Sequence, residues 1–385
     1  MLRVNVKKYS TGGLMKTPLY QAHIDLGGKM VDYAGFEMPV LYNGQTHIES
    51  HKWVRSKVGL FDVSHMQQHR ISGKDAKDFI KKISPLDPNG LKPFTSSLST
   101  LLNEQGGIID DCIITRQGEN EYYMVTNAGC RSKDLNFLKQ ESKNFNELNH
   151  QPFESTLLAI QGPKSQEILQ KFTREDLSKL YFGNSKFATV ADIPEVHIAR
   201  CGYTGEDGFE LSIPKDQESV EFFRCLIAEY PDIVKPIGLA ARDSLRLEAG
   251  MCLYGHELTE ELTPVEAGLT WLISKSRRNP QAGFNGAEKI IKQITDKNFA
   301  RRRIGITSVG PAPRQDNKIF DSEGKQEVGY VTSGSASPSV GGNVGQAYID
   351  KSVKIGTPIK IEIRGKLRDA KVAKLPFIEP KYHKE

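Results

Sequence analysis

A chain of 385 residues is too long for one compact core and too short for more than about three domains. With 38% hydrophobic, 26% charged and 8% aromatic residues it is neither disordered nor low-complexity, and no apolar run approaches the roughly 20 residues of a membrane-spanning helix. Net charge is +5, but Arg3, Lys7, Lys8 and Lys16 stand in a stretch with no acid before Asp25, so the body carries about +1, which argues against a nucleic-acid binder.

The opening MLRVNVKKYSTGGLMK is basic, hydroxylated and acid-free, with Leu2, Val6 and Tyr9 on one helical face. Residues 1–16 have the composition of a mitochondrial targeting segment; a frayed terminus is the alternative, and a secretory signal is excluded because no apolar stretch follows the charges. The five cysteines, Cys112, Cys130, Cys201, Cys225 and Cys252, form no CxxC pair. Odd number and wide spacing speak against a disulfide framework or a structural zinc site, and predict free thiols.

Residues 17–61 read as an entry segment with a short helix near 47–58. His47 and His51 sit there without a neighbouring carboxylate or thiol cluster, so they read as packed or surface histidines and no metal is expected. From 62 to about 150 the pattern gives a strand at 69–72, a helix over 74–83 with Ala76, Phe79, Ile80 and Ile83 inward, strands at 98–102, 108–115 and 121–125, and a helix over 131–140. A similar order follows: a strand at 157–160, a helical turn after Pro163, strands at 195–200 and 209–213 around CGYTGEDG, a helix that Asp216 can cap, and a helix in GLAARDSLRLEAG stopped by Gly250. Such alternation predicts α+β layers with helices packed on antiparallel sheets. The polar stretch 277–286 and the triplet Arg301, Arg302 and Arg303 mark a boundary. Beyond it six short strands, punctuated by Gly and Pro, predict a small barrel or sandwich.

Three segments carry possible chemistry. In GGIIDDCIIT, Asp110 and Asp111 interrupt an apolar strand and should point to opposite faces. A carboxylate in an apolar setting needs a partner or a function, although an acid pair on an edge strand also deters aggregation. In RCGYTGEDGFEL a Gly-rich, acidic hairpin tip can bring Tyr203 and Glu210 to a cleft; a solvated turn is the alternative, and the phosphate-loop order is missing. In AARDSLRLEAGMCLYG, Arg242 and Arg246 lie one helical turn apart and need acids if buried; Asp243 and Glu248 could pair locally, or Arg242 could hold a carboxylate or a pterin ring.

These segments, with TPLY at 17–20, GGKMVDYAGFEMPV at 27–40, GLFDVSHM at 59–66, NAGC at 127–130, TPVEAGL at 263–269, VGYVTSGSASPS at 328–339 and KLPF at 374–377, resemble the T-protein family of the glycine cleavage system from about residue 16 onward. The resemblance implies an aminomethyltransferase of the mitochondrial matrix. It would take the aminomethyl group carried on the lipoyl arm of H-protein, release ammonia and give 5,10-methylenetetrahydrofolate, with tetrahydrofolate as co-substrate and no metal, nucleic acid or membrane involved. It implies a three-domain cloverleaf around a central folate channel: a first α+β, folate-binding domain from 17–61 and 151–295, a second α+β domain from 62–150 carrying the catalytic acid, and a C-terminal β-barrel from 296–385. Carried over by matching motif, the catalytic carboxylate is Asp111, Glu210 and Arg242 line the folate site, Tyr382 matches the tyrosine after the C-terminal PF, and Tyr203, Met66 and Asn127 are further pocket residues. Lys275, Arg277, Arg278 and Arg301–Arg303 are candidates for docking an acidic H-protein. A related folate-binding class that serves iron–sulfur maintenance carries KGCYxGQE, where this chain reads MCLYGHEL. Folate-linked dimethylglycine and sarcosine oxidases add a flavin domain for which 385 residues leave no room.

Overall fold

The structure, a computed structural model, describes residues 13–385, so most of the expected targeting segment lies outside the described residues. Two compact units emerge. One comprises the described residues up to Gln68 with Pro152–Leu245 and Pro380–Glu385; the other comprises His69–Gln151 with Arg246–Glu379. Among the described residues no helix is long and apolar enough to cross a membrane.

The first unit is built on a six-stranded sheet in the order Ser185–Val190, Ile193–Ala199, Gly208–Ile213, Thr156–Gln161, Val58–Asp62, Val234–Pro236. All five residues of VGLFD and all six of TLLAIQ are buried. A continuous apolar run, rather than an alternating one, is the mark of a strand covered on both faces. The helix Asp216–Glu229 supplies one cover through Phe222, Phe223 and Leu226. Its N-cap is Lys215, so Asp216 is the first helical residue instead of the cap expected; there it complements the helix dipole. The sheet is antiparallel except at one edge, where Val234–Pro236 runs parallel to Val58–Leu60.

The entry segment is more ordered than its composition suggests. Gly28–Tyr33 and Phe36–Tyr42 form a hairpin in which Tyr33 faces Phe36. The two turn residues, Ala34 and Gly35, have φ of 55° and 83°, as a two-residue turn that follows strand twist requires. The helix His47–Ser56 then opens with a complete capping box, Thr46 with Glu49.

The second unit holds a five-stranded sheet, in the order Thr95–Leu102, Ile108–Arg116, Glu121–Thr126, Gln67–Ser72, Asn149–Phe153. The helix Ala76–Ile83 buries Ala76, Phe79, Ile80 and Ile83, the face its sequence spacing predicts. The C-terminal part is a closed barrel of six strands: Arg301–Ser308, Asn343–Asp350, Glu327–Ala336, Lys318–Phe320, Pro358–Ile363 and Lys366–Ala373, the last pairing back to the first. Its interior is filled at period two by Ile304 and Ile306, Ala347 and Ile349, and Ile359, Ile361 and Ile363. Full closure leaves the barrel no open edge.

Candidate active site

Strand Ile108–Arg116 pairs with Glu121–Thr126 only from Cys112 onward. Asp110 and Asp111 therefore lie just past the end of that ladder, next to Asn127, the residue that follows the partner strand. A register irregularity between Leu101 and Leu102 falls at the same level. Burial alternates along the strand as expected, with Asp110 buried and Asp111 half-buried, yet one side chain reaches both. Asn127 donates from its backbone N to Asp110 Oδ2 at 2.8 Å and from Nδ2 to Asp110 Oδ1 at 2.9 Å. The same Nδ2 meets Asp111 Oδ1 at 2.8 Å and the Asp111 carbonyl at 3.2 Å. Pairing with Thr95–Leu102 continues through both aspartates, and the amide just beyond Glu121–Thr126 gathers both carboxyls.

Asp110 is fully buried, while Asp111 keeps some exposure. Burial and the neighbouring Asp110 charge push the Asp111 carboxyl up to about 7, against the pull of Asn127. A third acid joins them. Asp134, in the first turn of the helix Arg131–Ser142, is 0% exposed, and burial followed by Asp110 pushes it up to about 10. Asp110, Asp134 and Cys130 each bring one potential donor atom within 4.8 Å of the others. As a cation site the set is poor: both Asp110 oxygens already accept from Asn127, and burial holds the Cys130 thiol protonated.

In the first unit, Glu210 sits on the strand Gly208–Ile213, between Ala199 and Ala159 on its neighbours. Burial raises its titration; Arg242 and a hydrogen bond from Cys201 oppose that. Arg242 lies over the Tyr203 ring at 4.8 Å, and its Nη1 is buried without an acceptor. The set combines a buried carboxyl, which can accept N–H groups, a guanidinium NH free to donate and a tyrosine face.

The structure places Tyr382 by seating the tail. Lys381 N donates to Gly205 O at 2.9 Å, and Lys381 Nζ reaches Glu206 at 3.3 Å. Tyr382 stacks on Phe182 at 4.0 Å, and burial pushes its hydroxyl up to about 12. The tail thus joins the CGYTGEDG turn. Met66 follows His65, a histidine the sequence reading passed over. His65 is buried with Nδ1 unpartnered, and burial, with Arg242 adding to it, lowers its pKa to about 4. Asp134 was missed as well, since an acid in a first helical turn reads as a dipole partner.

The basic docking candidates fare differently. Arg277 is only 7% exposed and donates to the carbonyls of Leu86, Lys81 and Ala282. Arg278 binds Ile273 O and Thr270 O, and Arg303 binds Ala267 O and Gly250 O. These arginines tie loops together; Lys275 keeps an exposed charge. Arg246, expected to pair with Asp243 or Glu248, reaches Glu257 at 2.8 Å.

The α+β sheets and the closed six-stranded barrel are the frame of a known class of transferases, as comparison with known proteins shows. The GCVT N-terminal domain matches residues 19–277, and the glycine cleavage T-protein C-terminal barrel domain matches residues 301–379. The chain is 48% identical to the mitochondrial aminomethyltransferase of Saccharomyces cerevisiae, over 97% of this chain and 96% of that one. It is 44% identical to a probable mitochondrial aminomethyltransferase of Schizosaccharomyces pombe, with the same coverage of both chains. The crystal structure of the glycine cleavage system aminomethyltransferase T from Bartonella henselae superposes with a TM-score of 0.89 at 36% identity, covering 97% of this chain and 100% of that one. The chain belongs to the glycine cleavage T-protein family.

Proposed function

We propose that aminomethyl transfer by this chain runs on the Asp111 carboxyl, with tetrahydrofolate as acceptor and the aminomethylated lipoyl arm of H-protein as donor. The aminomethyltransferase activity, its place in the glycine cleavage system and the mitochondrial setting follow from the family and its relatives. The residue roles are the proposal. So is the three-part plan, with folate-binding residues in 17–61 and 151–295, the acid in 62–150 and the barrel from 296.

The observation that carries the reading is a carboxyl raised to about 7 with an amide fixing its direction. Near neutrality such a group can accept a proton and return it. Transfer makes two C–N bonds, to the two folate nitrogens, and breaks the carbon's bonds to sulfur and to the leaving amine. The two folate N–H protons end on ammonia and on the freed thiol. Asp111 relays one of them, and as a carboxylate it stabilises the iminium-like carbon that forms as ammonia departs. Glu210 and Arg242 hold the pterin, with Tyr203 against its face.

The test is purified enzyme with aminomethylated H-protein, scoring ammonia with and without tetrahydrofolate. Asp111→Asn should keep folate affinity and cut turnover by about 100-fold or more, the range of acid–base work. Near-normal turnover would refute the role of Asp111. Glu210→Ala should mainly weaken folate binding, and an unchanged titration would remove it from the pterin site.

A further inference from the structure

Three carboxyls share one spot in the second unit, and among the described residues none of them is in an ion pair. Each oxygen of Asp110 accepts from Asn127, so Asp110 must be present as an acceptor. Asp134 meets it from the helix Arg131–Ser142. Neither Asp134 oxygen finds a donor at hydrogen-bond geometry. The Thr126 hydroxyl lies beside it and pulls its titration down, against burial and Asp110, and the same oxygen meets His69 Nε2 at 3.2 Å. As an anion Asp134 would be a buried charge with no cation paired to it, a costly state. As a neutral acid it has one acceptor within reach, the Asp110 carboxylate. Two carboxyls in contact hold one proton between them.

The groups around this trio do not change that balance. Cys112 lies on the same strand, and Cys130 and Lys133 come from the helix start. Cys252 and Tyr254 come from the loop beyond Gly250. Burial keeps the thiols of Cys112, Cys130 and Cys252 protonated. Lys133 is turned to the Tyr254 hydroxyl and to Glu260, and that hydroxyl donates to Ile108 O at 3.1 Å.

We propose that Asp134 is a positioning acid: it keeps its proton and donates it to Asp110, Asp110 thereby holds Asn127 by two hydrogen bonds, and the Asn127 amide fixes the direction of the Asp111 carboxyl. The inference rests on Asp111 as the reacting carboxyl and adds what orients it. An amide has two N–H protons, and Asn127 divides them among Asp110 Oδ1, Asp111 Oδ1 and the Asp111 carbonyl. Were the Asp134 proton lost, a second negative charge would stand behind Asp110, and the charge pressing on Asp111 would grow.

The experiment is the pH profile of turnover, from pH 5.5 to 9, for wild type, Asp134→Asn, Asp134→Leu and Asp110→Asn, with saturating tetrahydrofolate and aminomethylated H-protein. Asparagine imitates a protonated aspartate, being neutral with an N–H to give. Asp134→Asn should therefore leave the acid limb where wild type has it and recover turnover to within about threefold, relative to a loss of about tenfold or more in Asp134→Leu. Asp110→Asn, which removes a charge beside Asp111, should move the limb down by about one pH unit. An Asp134→Asn limb displaced as far as that of Asp110→Asn would mean Asp134 is ionised, and the inference would fall. Full turnover in Asp134→Leu would also overturn it. Asp111→Asn, run alongside, separates the two ideas: wild-type turnover there would sink the role of Asp111 whatever Asp134 does.

Discussion

Asp62 and Asp111 are the same side chain in opposite company. Asp62 ends a fully buried strand of the first unit and is itself 6% exposed. Burial would raise its titration, but His23 at 2.9 Å, the Ser64 N–H at 2.9 Å and the Thr17 hydroxyl at 2.6 Å reverse that and hold it down to about 2. Asp111, in the second unit, meets one amide and the charge of Asp110, so burial and that charge win and the carboxyl rises to about 7. Desolvation acts on both; the sign of the neighbours decides the outcome. A buried carboxyl ringed by donors is locked in one protonation state and anchors structure. One set beside another acid is poised between states, at a cost to stability.

The comparison breaks most visibly at Asp62. Asp62→Ala leaves His23, Thr17 and Ser64 without their acceptor in a closed interior and should destabilise the first unit by about 3–5 kcal/mol, read from urea unfolding at pH 7. The pH dependence has a defined sign. A carboxyl held below its unfolded value contributes stability above that value and loses it as pH falls through the folded one. The contribution, roughly 2 kcal/mol, is thus present at pH 5 and above and drains away between about pH 4 and the folded value of about 2. A mutant penalty that did not shrink across that window would show that charge is not what Asp62 supplies.

Asp111 should respond in the opposite direction. Its folded titration near 7 lies above the unfolded value, so the folded state loses stability as pH rises through 7, and below the unfolded value the group is neutral in both states. Asp111→Asn should therefore raise the thermal midpoint by a few degrees at pH 8 and by less at pH 5, while turnover collapses. A variant that is less stable than wild type at pH 8 would mean Asp111 is an anchor like Asp62.

Much of this could be read from residue order. The six barrel strands show because inward Ile and Val alternate with outward polar residues, and Asp110 and Asp111 stand out because two acids interrupt IICIIT. What escaped depends on approach across space. The hairpin of 28–42 turns on Ala34 and Gly35, which lack the Asn-Gly or Asp-Gly signal. The helix Ala287–Asp296 buries Ile290 and Ile291, but its period is hidden behind the polar stretch before it. Glu257 reaches Arg246 from a loop, where local spacing offered only Asp243 and Glu248. Asp134 is an ordinary first-turn acid until the sheet closes over it, and no single-sequence pattern marks which first-turn acids become buried. Tyr382 found its place through Lys381 and Gly205, contacts that no motif encodes.

The smallest effect belongs to a third kind of acid. Glu49 is exposed, yet it accepts from Thr46 N and Thr46 Oγ1 at 2.8 Å each, and Glu49 N donates back to Thr46 Oγ1 at 3.2 Å. The donor logic is that of Asp62 with water as the competitor at every step. Net hydrogen-bond energies are modest where water can replace either partner, so Thr46→Ala should cost only about 1 kcal/mol, the usual loss for a helix N-cap. Hydrogen exchange in the first turn of His47–Ser56 should speed up by about the corresponding factor of five, with turnover unchanged because the helix supplies no reacting group. A loss approaching that of Asp62→Ala would mean that exposed and buried donors weigh alike. Burial would then not be what separates an anchor from an ornament, and the contrast between Asp62 and Asp111 would need another cause.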